Sequence, residues 1–271
     1  KLKTFQRVTR FLPSMIVFRH ILVLQVLFSV WLCFGEVQKI DSFPDFSWDT
    51  LPVFYHAANE TGPMPESEVD FITRFPLVTF EKYTAQNYPP ANEGAEKKIV
   101  AAAKQIKMKK SSVKVLFYLN SVMDWDMYDL HTYLQQHESL LLHDKNGNLV
   151  KIRNQGVFDL SQAEMRTLWV NVIKNATASG YIDGVFADRG NNQSFSNVAE
   201  EKEAAWLDGH AKLLQEAQAA LGEDSVLISN NQDWTGITGR MFENFGAKDF
   251  DTTRSWLSDI ELLQNEGSAP R

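Results

Sequence analysis

The segment Ile182-Asp183-Gly184-Val185-Phe186-Ala187-Asp188-Arg189-Gly190 decides the expected fold of this chain. It follows a helix-like segment that opens at Phe158-Asp159-Leu160-Ser161, carries an early arginine, Arg166, and closes on Gly180. The order is therefore a helix, a glycine stop and a short apolar strand that ends at Asp188. Parallel α/β barrels keep their functional side chains at the carboxyl ends of the strands. The segment thus predicts a strand that carries a functional carboxylate at its end.

Short apolar runs alternate with longer helical segments along the rest of the chain. The predicted strands are 53–57, 77–80, 113–119, 156–160, 182–187, 226–229 and 240–245. The predicted helices are 66–75, 96–110, 129–142, the segment between Leu160 and Gly180, 199–221 and 252–264. An Asn-Gly pair at 146–147, flanked by apolar runs, predicts a hairpin within 142–152.

This alternation predicts an α/β fold, with a parallel sheet covered by helices. Seven strand–helix units fit a (β/α)8 TIM barrel, which typically takes about 250 residues. The chain stops where the eighth strand is expected, so we predict a barrel that lacks its eighth unit through truncation at the C-terminus. A doubly wound sheet is the alternative, but no glycine-rich phosphate loop follows the first strand.

Residues 1–35 are predicted to be an N-terminal extension and signal peptide. Met15 opens a short basic stretch, residues 21–34 are almost unbroken apolar sequence, and Cys33 and Gly35 form a small-residue cleavage pattern before Glu36. The apolar run is short for a membrane span, which needs about 20 residues. An uncleaved membrane anchor is the alternative, and membrane association is expected only in that case.

The net charge and the signals for export limit the classes of partner that the protein is expected to bind. Lys and Arg number 27, five of them within residues 1–35, and Asp and Glu number 34, none of them there. Without that segment the net charge falls from −7 to −12, which argues against a nucleic-acid partner. Three sequons, at Asn59, Asn175 and Asn192, favour a secreted glycoprotein. The only cysteine, Cys33, lies in the signal segment, so the remaining domain can form no internal disulfide.

Polar residues at the predicted strand ends are the candidates for chemistry. They are His56, Glu81, Asn120, Asp159, Asp188, Asn230, Asn231 and Glu243. Several carboxylates and amides around one rim suit a sugar hydrolase. Such an enzyme protonates the leaving oxygen with one carboxyl group, while the other attacks carbon or activates water.

Among the carboxylates, Asp188 is predicted to be the nucleophile or stabilising group, with loop bracing or helix capping as the structural alternative. Asp183 is expected to bond backbone at the start of the strand. Glu243 lies between aromatic residues, and an apolar pocket would raise its pKa and suit a general acid. Its alternative is a bond to an arginine or a substrate hydroxyl.

Two further carboxylates compete with Glu243 for the acid role. Asp159 could instead cap the next helix, and Glu81 could form an ion pair with the adjacent Lys82. Either could hold substrate hydroxyls.

Aromatic residues divide by their predicted location. Trp125 and Trp234 follow strands in loops on the active rim, where an indole can stack on a sugar ring. Tyr55, Tyr83 and Tyr118 could line the same pocket. The histidines show no zinc-binding arrangement and no nucleotide-binding motif appears, so no metal or organic cofactor is expected.

The run from Phe158 to Gly190 resembles the "DL…R…G-DG…D" pattern of barrel glycosidases. It is similar to hypothetical glycoside-hydrolase-like barrel families, distantly related to the α-amylase and α-galactosidase groups, over roughly residues 51–246. The resemblance implies a glycosidase-like domain over 36–271 in which Asp188 matches the nucleophile. The chain departs from the amylase group at Phe186, which stands where that group has arginine. Amides also replace the expected acid at Asn230 and Asn231, so the acid would be Glu243.

Together these patterns predict a secreted glycoside hydrolase that cleaves a polysaccharide or glycoconjugate by a two-carboxylate mechanism. Transglycosylation is a further alternative. The alternative from another class is a barrel that binds carbohydrate without cleaving it, since a fold does not guarantee its usual chemistry.

Overall fold

The computed structural model describes residues 43, 44, 49, 51, 53–191, 193–231, 236–241 and 243. The chain divides into two compact units, 1–40 and 41–271, and every described residue belongs to the second. The predicted signal segment, the helix at 252–264, Trp234 and Asn192 lie outside the described residues.

Strands and helices alternate along most of the described chain. The strands are β1 Phe54–Ala57, β2 Leu77–Phe80, β3 Lys114–Asn120, β4 Lys151–Ile152, β5 Gln155–Gly156, β6 Gly184–Asp188, β7 Val226–Asn230 and β8 Gly239–Met241. The helices are α1 Glu66–Ile72, α2 Ala95–Lys109, α3 Asp129–Leu134, α4 Ala163–Thr177 and α5 Glu200–Leu221, with a 3-10 turn at Glu138–Leu140.

Six of these strands form one parallel sheet in the order β1-β2-β3-β6-β7-β8, which is also their order in the chain. The predicted α/β fold with a parallel sheet is therefore confirmed. Within the described residues the sheet is open, with β1 and β8 at its edges. The full eight-stranded barrel and its truncation stay predictions.

The segment 156–160 is not the predicted strand of the parallel sheet, because β3 pairs directly with β6 from Leu116 opposite Gly184 to Asn120 opposite Asp188. Gly156 instead belongs to β5, and Val157 and Phe158 form isolated antiparallel bridges. The segment is nevertheless buried, and side chains satisfy part of its backbone. The Trp206 indole donates to the Phe158 carbonyl at 2.7 Å, and Arg166 donates to the Leu160 carbonyl at 2.9 Å. A buried apolar run with such partners has the composition of a strand without needing a place in the sheet.

The excursion after α3 contains two turns. Asp144 Oδ1 accepts the backbone N–H groups of Asn146 and Asn148, and His143 bridges Leu149 in antiparallel fashion, which confirms a turn around the Asn-Gly pair. The tight turn between β4 and β5 is Arg153-Asn154, where both φ angles are positive, at 51° and 66°. Two successive positive φ angles are typical of the turns that close two-residue hairpins.

Side-chain alternation along the parallel strands separates two faces. One face packs on helices. For example, the centroid of the Tyr55 ring lies 6.3 Å from that of Phe71 on α1. On the other face the rings of His56 and Phe186 approach to 4.8 Å, although they lie on β1 and β6. This second face continues to the carboxyl ends of the strands, where the polar residues gather.

Candidate active site

Parallel register brings the polar strand ends together. Asn120 at the end of β3 lies opposite Asp188 at the end of β6, and Asn230 ends the next strand, β7. Because these residues occupy equivalent positions, their side chains share one face of the sheet. The structure thus unites three residues that sequence analysis predicted at one rim.

Asp188 is the centre of this cluster and accepts four hydrogen bonds. Its Oδ2 accepts from the Tyr118 hydroxyl at 2.5 Å and from Asn120 Nδ2 at 2.9 Å. Its Oδ1 accepts from Asn230 Nδ2 at 2.9 Å and from the Arg189 backbone N–H at 2.8 Å. Four donors match the acceptor capacity of an ionised carboxylate.

The Asn120 amide is held in one orientation. Its Oδ1 accepts the backbone N–H groups of Val122 at 2.9 Å and Met123 at 2.7 Å. The amide nitrogen must therefore face Asp188, and the side chain is fully buried. This preorganised donor fixes the carboxylate before any ligand binds.

Tyr118 is a donor that remains protonated. Burial raises the pKa of its hydroxyl far above the usual range, and the negative charge of Asp188 raises that pKa further. Its ring stacks with Phe186 at 6.1 Å. Tyr118 was a candidate to line the pocket, but only the strand register shows that it bonds the central carboxylate.

Glu243 is joined to Asp188 through one amide. Asn230 Nδ2 donates to Glu243 Oε2 at 2.8 Å as well as to Asp188. Asn231 supports the same residue, since its Oδ1 accepts the Glu243 backbone N–H at 2.9 Å. Glu243 is exposed, and its flanking Phe242 and Phe245 lie outside the described residues, so the apolar pocket around it stays a prediction.

Behind Asp188 lies a buried support that sequence analysis missed. The Ser121 hydroxyl donates to the Asp188 carbonyl at 2.8 Å and lies 3.0 Å from His210 Nε2 on α5. Since Ser121 has one proton to donate, His210 donates to the serine oxygen. Burial lowers the pKa of His210 to about 3, so its ring is neutral at physiological pH. No local sequence signal links these residues.

A second group of polar side chains, connected by hydrogen bonds, extends from β1 to the loop after β2. His56 Nε2 lies 3.0 Å from Glu81 Oε1, and Lys82 Nζ donates to Glu81 Oε2 at 2.8 Å, as the predicted ion pair requires. Burial alone would raise the pKa of Glu81, but the hydrogen bonds from His56 and Lys82 outweigh it and hold the pKa at about 2. A carboxyl group with that pKa is ionised near neutral pH and is a poor general acid.

Lys82 connects this group of polar side chains to the cluster around Asp188. Its ammonium lies 4.6 Å from the centroid of the Tyr118 ring and 4.9 Å from those of Tyr83 and Trp125. Three rings around a buried ammonium give favourable cation–π contacts. Trp125 and Tyr83, predicted to line the pocket, therefore lie beside the residues that hold Asp188.

Two predicted site residues lie elsewhere. Asp159 is buried and accepts from Lys202 on α5 at 2.6 Å and from Ser161 at 2.6 Å, so it ties its loop to that helix. Tyr55 is on the helix-covered face of β1, against Phe71. Alternation along the strand separates it from its neighbour His56, so the structure does not bring Tyr55 to the rim.

The described ranges contain no group of three or more His, Cys, Asp or Glu side chains able to hold a metal ion. In the same part of the chain, no helix combines the length and apolar character needed to cross a membrane.

Solved structures with similar folds include glycoside hydrolases. The GH36 α-galactosidase AgaA from Geobacillus stearothermophilus is 16% identical with a TM-score of 0.48, and the match covers 66% of this chain and 27% of that one. The glycoside hydrolase domain of PelA from Pseudomonas aeruginosa is 17% identical with a TM-score of 0.44, and the match covers 65% of this chain and 58% of that one. The chain thus spans about a quarter of the α-galactosidase it matches.

No curated protein sequence matches the chain. The family model of hypothetical glycosyl hydrolase family 15 matches residues 107–270, which is more than half of the chain and includes Asn120, Asp188, Asn230 and Glu243. The protein therefore belongs to hypothetical glycosyl hydrolase family 15.

Proposed function

We propose that the protein is a glycoside hydrolase that cleaves O-glycosidic bonds of a polysaccharide or glycoconjugate with two carboxyl groups. Membership of a glycosyl hydrolase family supports the reaction class. The observation that carries the proposal is the Asn230 amide, which donates to Asp188 at 2.9 Å and to Glu243 at 2.8 Å.

The shared amide supports a retaining mechanism. Asp188 Oδ1 and Glu243 Oε2 both accept a hydrogen bond from Asn230 Nδ2. The distance between these two oxygen atoms therefore cannot exceed the sum of the two hydrogen-bond lengths. Retaining glycosidases hold their carboxyl groups about 5–5.5 Å apart, whereas inverting ones need about 6.5–9.5 Å to admit a water molecule. The Asp188–Glu243 arrangement is compatible with the shorter spacing.

In the proposed first step, Asp188 forms a bond to the anomeric carbon while Glu243 gives its proton to the departing oxygen. In the second step, water attacks the same carbon, Glu243 takes the water proton, and Asp188 leaves as a carboxylate. The four donors around Asp188 stabilise that leaving carboxylate, and Tyr118 and Asn120 keep its plane fixed.

The first test is hydrolysis of a panel of α- and β-linked p-nitrophenyl glycosides and polysaccharides by the full chain. Asp188→Asn and Glu243→Gln should each abolish an activity found in the wild type. Asp183→Asn is the matched control, since it makes the same change at the residue just before β6. Activity that survives in Asp188→Asn would disprove its role.

The stereochemical test follows the product anomer by proton NMR immediately after cleavage. Retention is expected. An initial product of inverted configuration would contradict the role of Asp188 as nucleophile, even if both carboxyl groups proved essential.

One observation favours the alternative of a non-catalytic carbohydrate-binding barrel. The protein's own donors occupy both oxygens of Asp188, so attack requires at least one of those hydrogen bonds to weaken. Glycan binding without cleavage by the wild type would favour the binder over the enzyme.

We also propose export from the cell, on the basis of the signal-like segment at 1–35 and the sequons. Asn175 is exposed on α4, and Asn59 donates to Glu68 at 2.6 Å. Expression in a eukaryotic secretory host should release a protein whose mass falls on treatment with peptide N-glycosidase. Retention of the unmodified chain inside the cell would contradict this proposal.

A further inference from the structure

A pocket of about 390 Å³ lies between the loop after β2 and the loop after β3. Lys82 and Asn92 contribute from the first loop, and Asp126 contributes from the second. Both loops follow the carboxyl ends of parallel strands, so the pocket lies at the same end of the sheet as Asp188. Its volume falls in the range of small-molecule pockets, about 300–1,000 Å³.

The lining of this pocket suits a ligand rich in hydroxyl groups. Side chains with both donors and acceptors face it, among them Gln86, Asn92 and Thr132. Its lining carries charges of both signs, with Lys82 and Lys98 on one hand and Glu93, Asp126 and Asp129 on the other. Asp129, the first residue of α3, directs its carboxylate at Gly94 just before α2, where a Cβ on Gly94 would fall 2.5 Å from Asp129 Oδ1. A carboxylate already placed there disfavours an anionic ligand, so the chemistry favours an uncharged sugar.

Lys82 lines the pocket and also contacts the candidate active site. On one side it lines the pocket, and on the other its ammonium lies 4.6 Å from the Tyr118 ring, whose hydroxyl bonds Asp188. Trp125, next to Asp126, covers the same ammonium at 4.9 Å. Within the described residues, the buried indole Nε1 of Trp125 has no hydrogen-bond partner. Lys82 and the Tyr118 ring thus link the pocket to the carboxylate of Asp188.

We propose that this pocket is a second sugar subsite, so that the protein acts on an extended chain of uncharged sugars rather than on a single terminal sugar. The inference rests on the proposed function, because it places the scissile bond at Asp188. One sugar of the chain occupies the space between Asn92 and Asp126 while a neighbouring part of the chain reaches Asp188.

The test fills the pocket from its rim. Ala91 is exposed and lines the pocket, so Ala91→Trp inserts an indole there. Ala101→Trp is the matched control, because Ala101 is exposed on α2 outside the lining. For both variants, kcat/KM is measured for the cleaved p-nitrophenyl glycoside and for oligosaccharides of the same sugar of increasing length.

The wild type and Ala101→Trp should prefer the longer oligosaccharide over the p-nitrophenyl glycoside by at least about tenfold, equivalent to about 1.4 kcal/mol. Ala91→Trp should lose most of that preference. Asn92→Ala, which removes hydrogen bonds without adding bulk, should lower the preference in the same direction. It keeps the test valid if Ala91→Trp does not fold by circular dichroism.

The outcomes separate the two proposals. Cleavage of p-nitrophenyl glycosides with no gain from chain length, or with a gain that Ala91→Trp leaves intact, would overturn the subsite and leave the glycosidase standing. No cleavage of any substrate, with no binding of oligosaccharides to Asp188→Asn by calorimetry, would overturn the proposed function and the subsite with it.

Discussion

One aspartate, Asp183, lies just before the first residue of β6 and another, Asp188, is its last residue, and the two carboxylates are held in different ways. At the start of the strand, Asp183 accepts the Val115 backbone N–H at 2.7 Å and the Lys107 ammonium at 2.6 Å. At its end, Asp188 accepts from a phenol, two amides and a backbone N–H. A cation neutralises the first carboxylate, and neutral donors hold the second.

This difference follows the division of labour in parallel α/β folds, where the amino end of the sheet serves stability and the carboxyl end serves chemistry. A carboxylate bonded to backbone and an ammonium braces two neighbouring strands. A carboxylate held by neutral donors has a fixed orientation and no counter-ion among those donors. Only the second is suited to attack an electrophilic carbon.

The largest expected effect is at the carboxyl end. Asp188→Asn should lower kcat/KM by at least about a thousandfold, or roughly 4 kcal/mol of transition-state stabilisation, because an amide cannot attack the anomeric carbon. Steady-state kinetics on the best substrate of the panel would measure the loss. A residual activity within tenfold of the wild type would contradict the assignment of chemistry to Asp188 and of stability to Asp183.

The second largest effect on kcat/KM is expected at Asn230, whose amide bridges the two carboxyl groups. Asn230→Ala removes one hydrogen bond to each of Asp188 and Glu243, and a hydrogen bond to a charged group contributes about 1.5–3 kcal/mol. A loss of roughly ten- to a hundredfold in kcat/KM is therefore expected. Asn231→Ala is the neighbouring control, with a smaller loss, and equal losses in the two variants would remove the special role of the bridge.

At the amino end the same type of change should affect stability instead. Asp183→Ala leaves the Val115 N–H and the Lys107 ammonium without this carboxylate, at an expected cost of about 1–3 kcal/mol in the free energy of unfolding. Urea denaturation would measure that cost, and kcat per folded molecule should stay unchanged. A large drop in kcat with unchanged stability would show that the two ends are not functionally distinct.

The last expected effect is a pH dependence of the free energy of unfolding at the carboxyl end, and it is small close to neutral pH. Burial lowers the pKa of His210 from 6.5 to about 3 in the folded protein, so protonation favours the unfolded chain. The contribution of His210 to stability is complete above pH 6.5 and is lost as the pH falls towards 3. Below pH 6.5 the loss approaches about 1.4 kcal/mol for each pH unit.

Urea denaturation between pH 7 and 5 would test this. His210→Gln should flatten the slope, whereas His137→Gln, at a residue accessible to water, should leave it as in the wild type. A wild-type slope in His210→Gln would show that other groups cause the acid sensitivity.

Much of the framework was predictable from local patterns. The strand that ends at Asp188, the backbone bond of Asp183 and the Glu81–Lys82 ion pair were all expected from neighbouring residues, and the structure contains each of them. The failures share a different cause. The run at 156–160 and the placement of Tyr55 depended on which neighbour each segment packs against, and composition does not carry that information.

The sequence by itself determined the alternation of apolar strands and helices, and with it the parallel sheet and the polar residues at its carboxyl end. These features depend on periodicity and on residues a few positions apart. Only the tertiary structure decided which side chains meet Asp188. Asn120 is 68 residues away and Asn230 is 42 residues away along the chain, and strand register alone brings both amides within 2.9 Å of the carboxylate. The same long-range packing places Lys82 among three rings and His210 behind Ser121, because burial selects partners by position in space rather than in sequence.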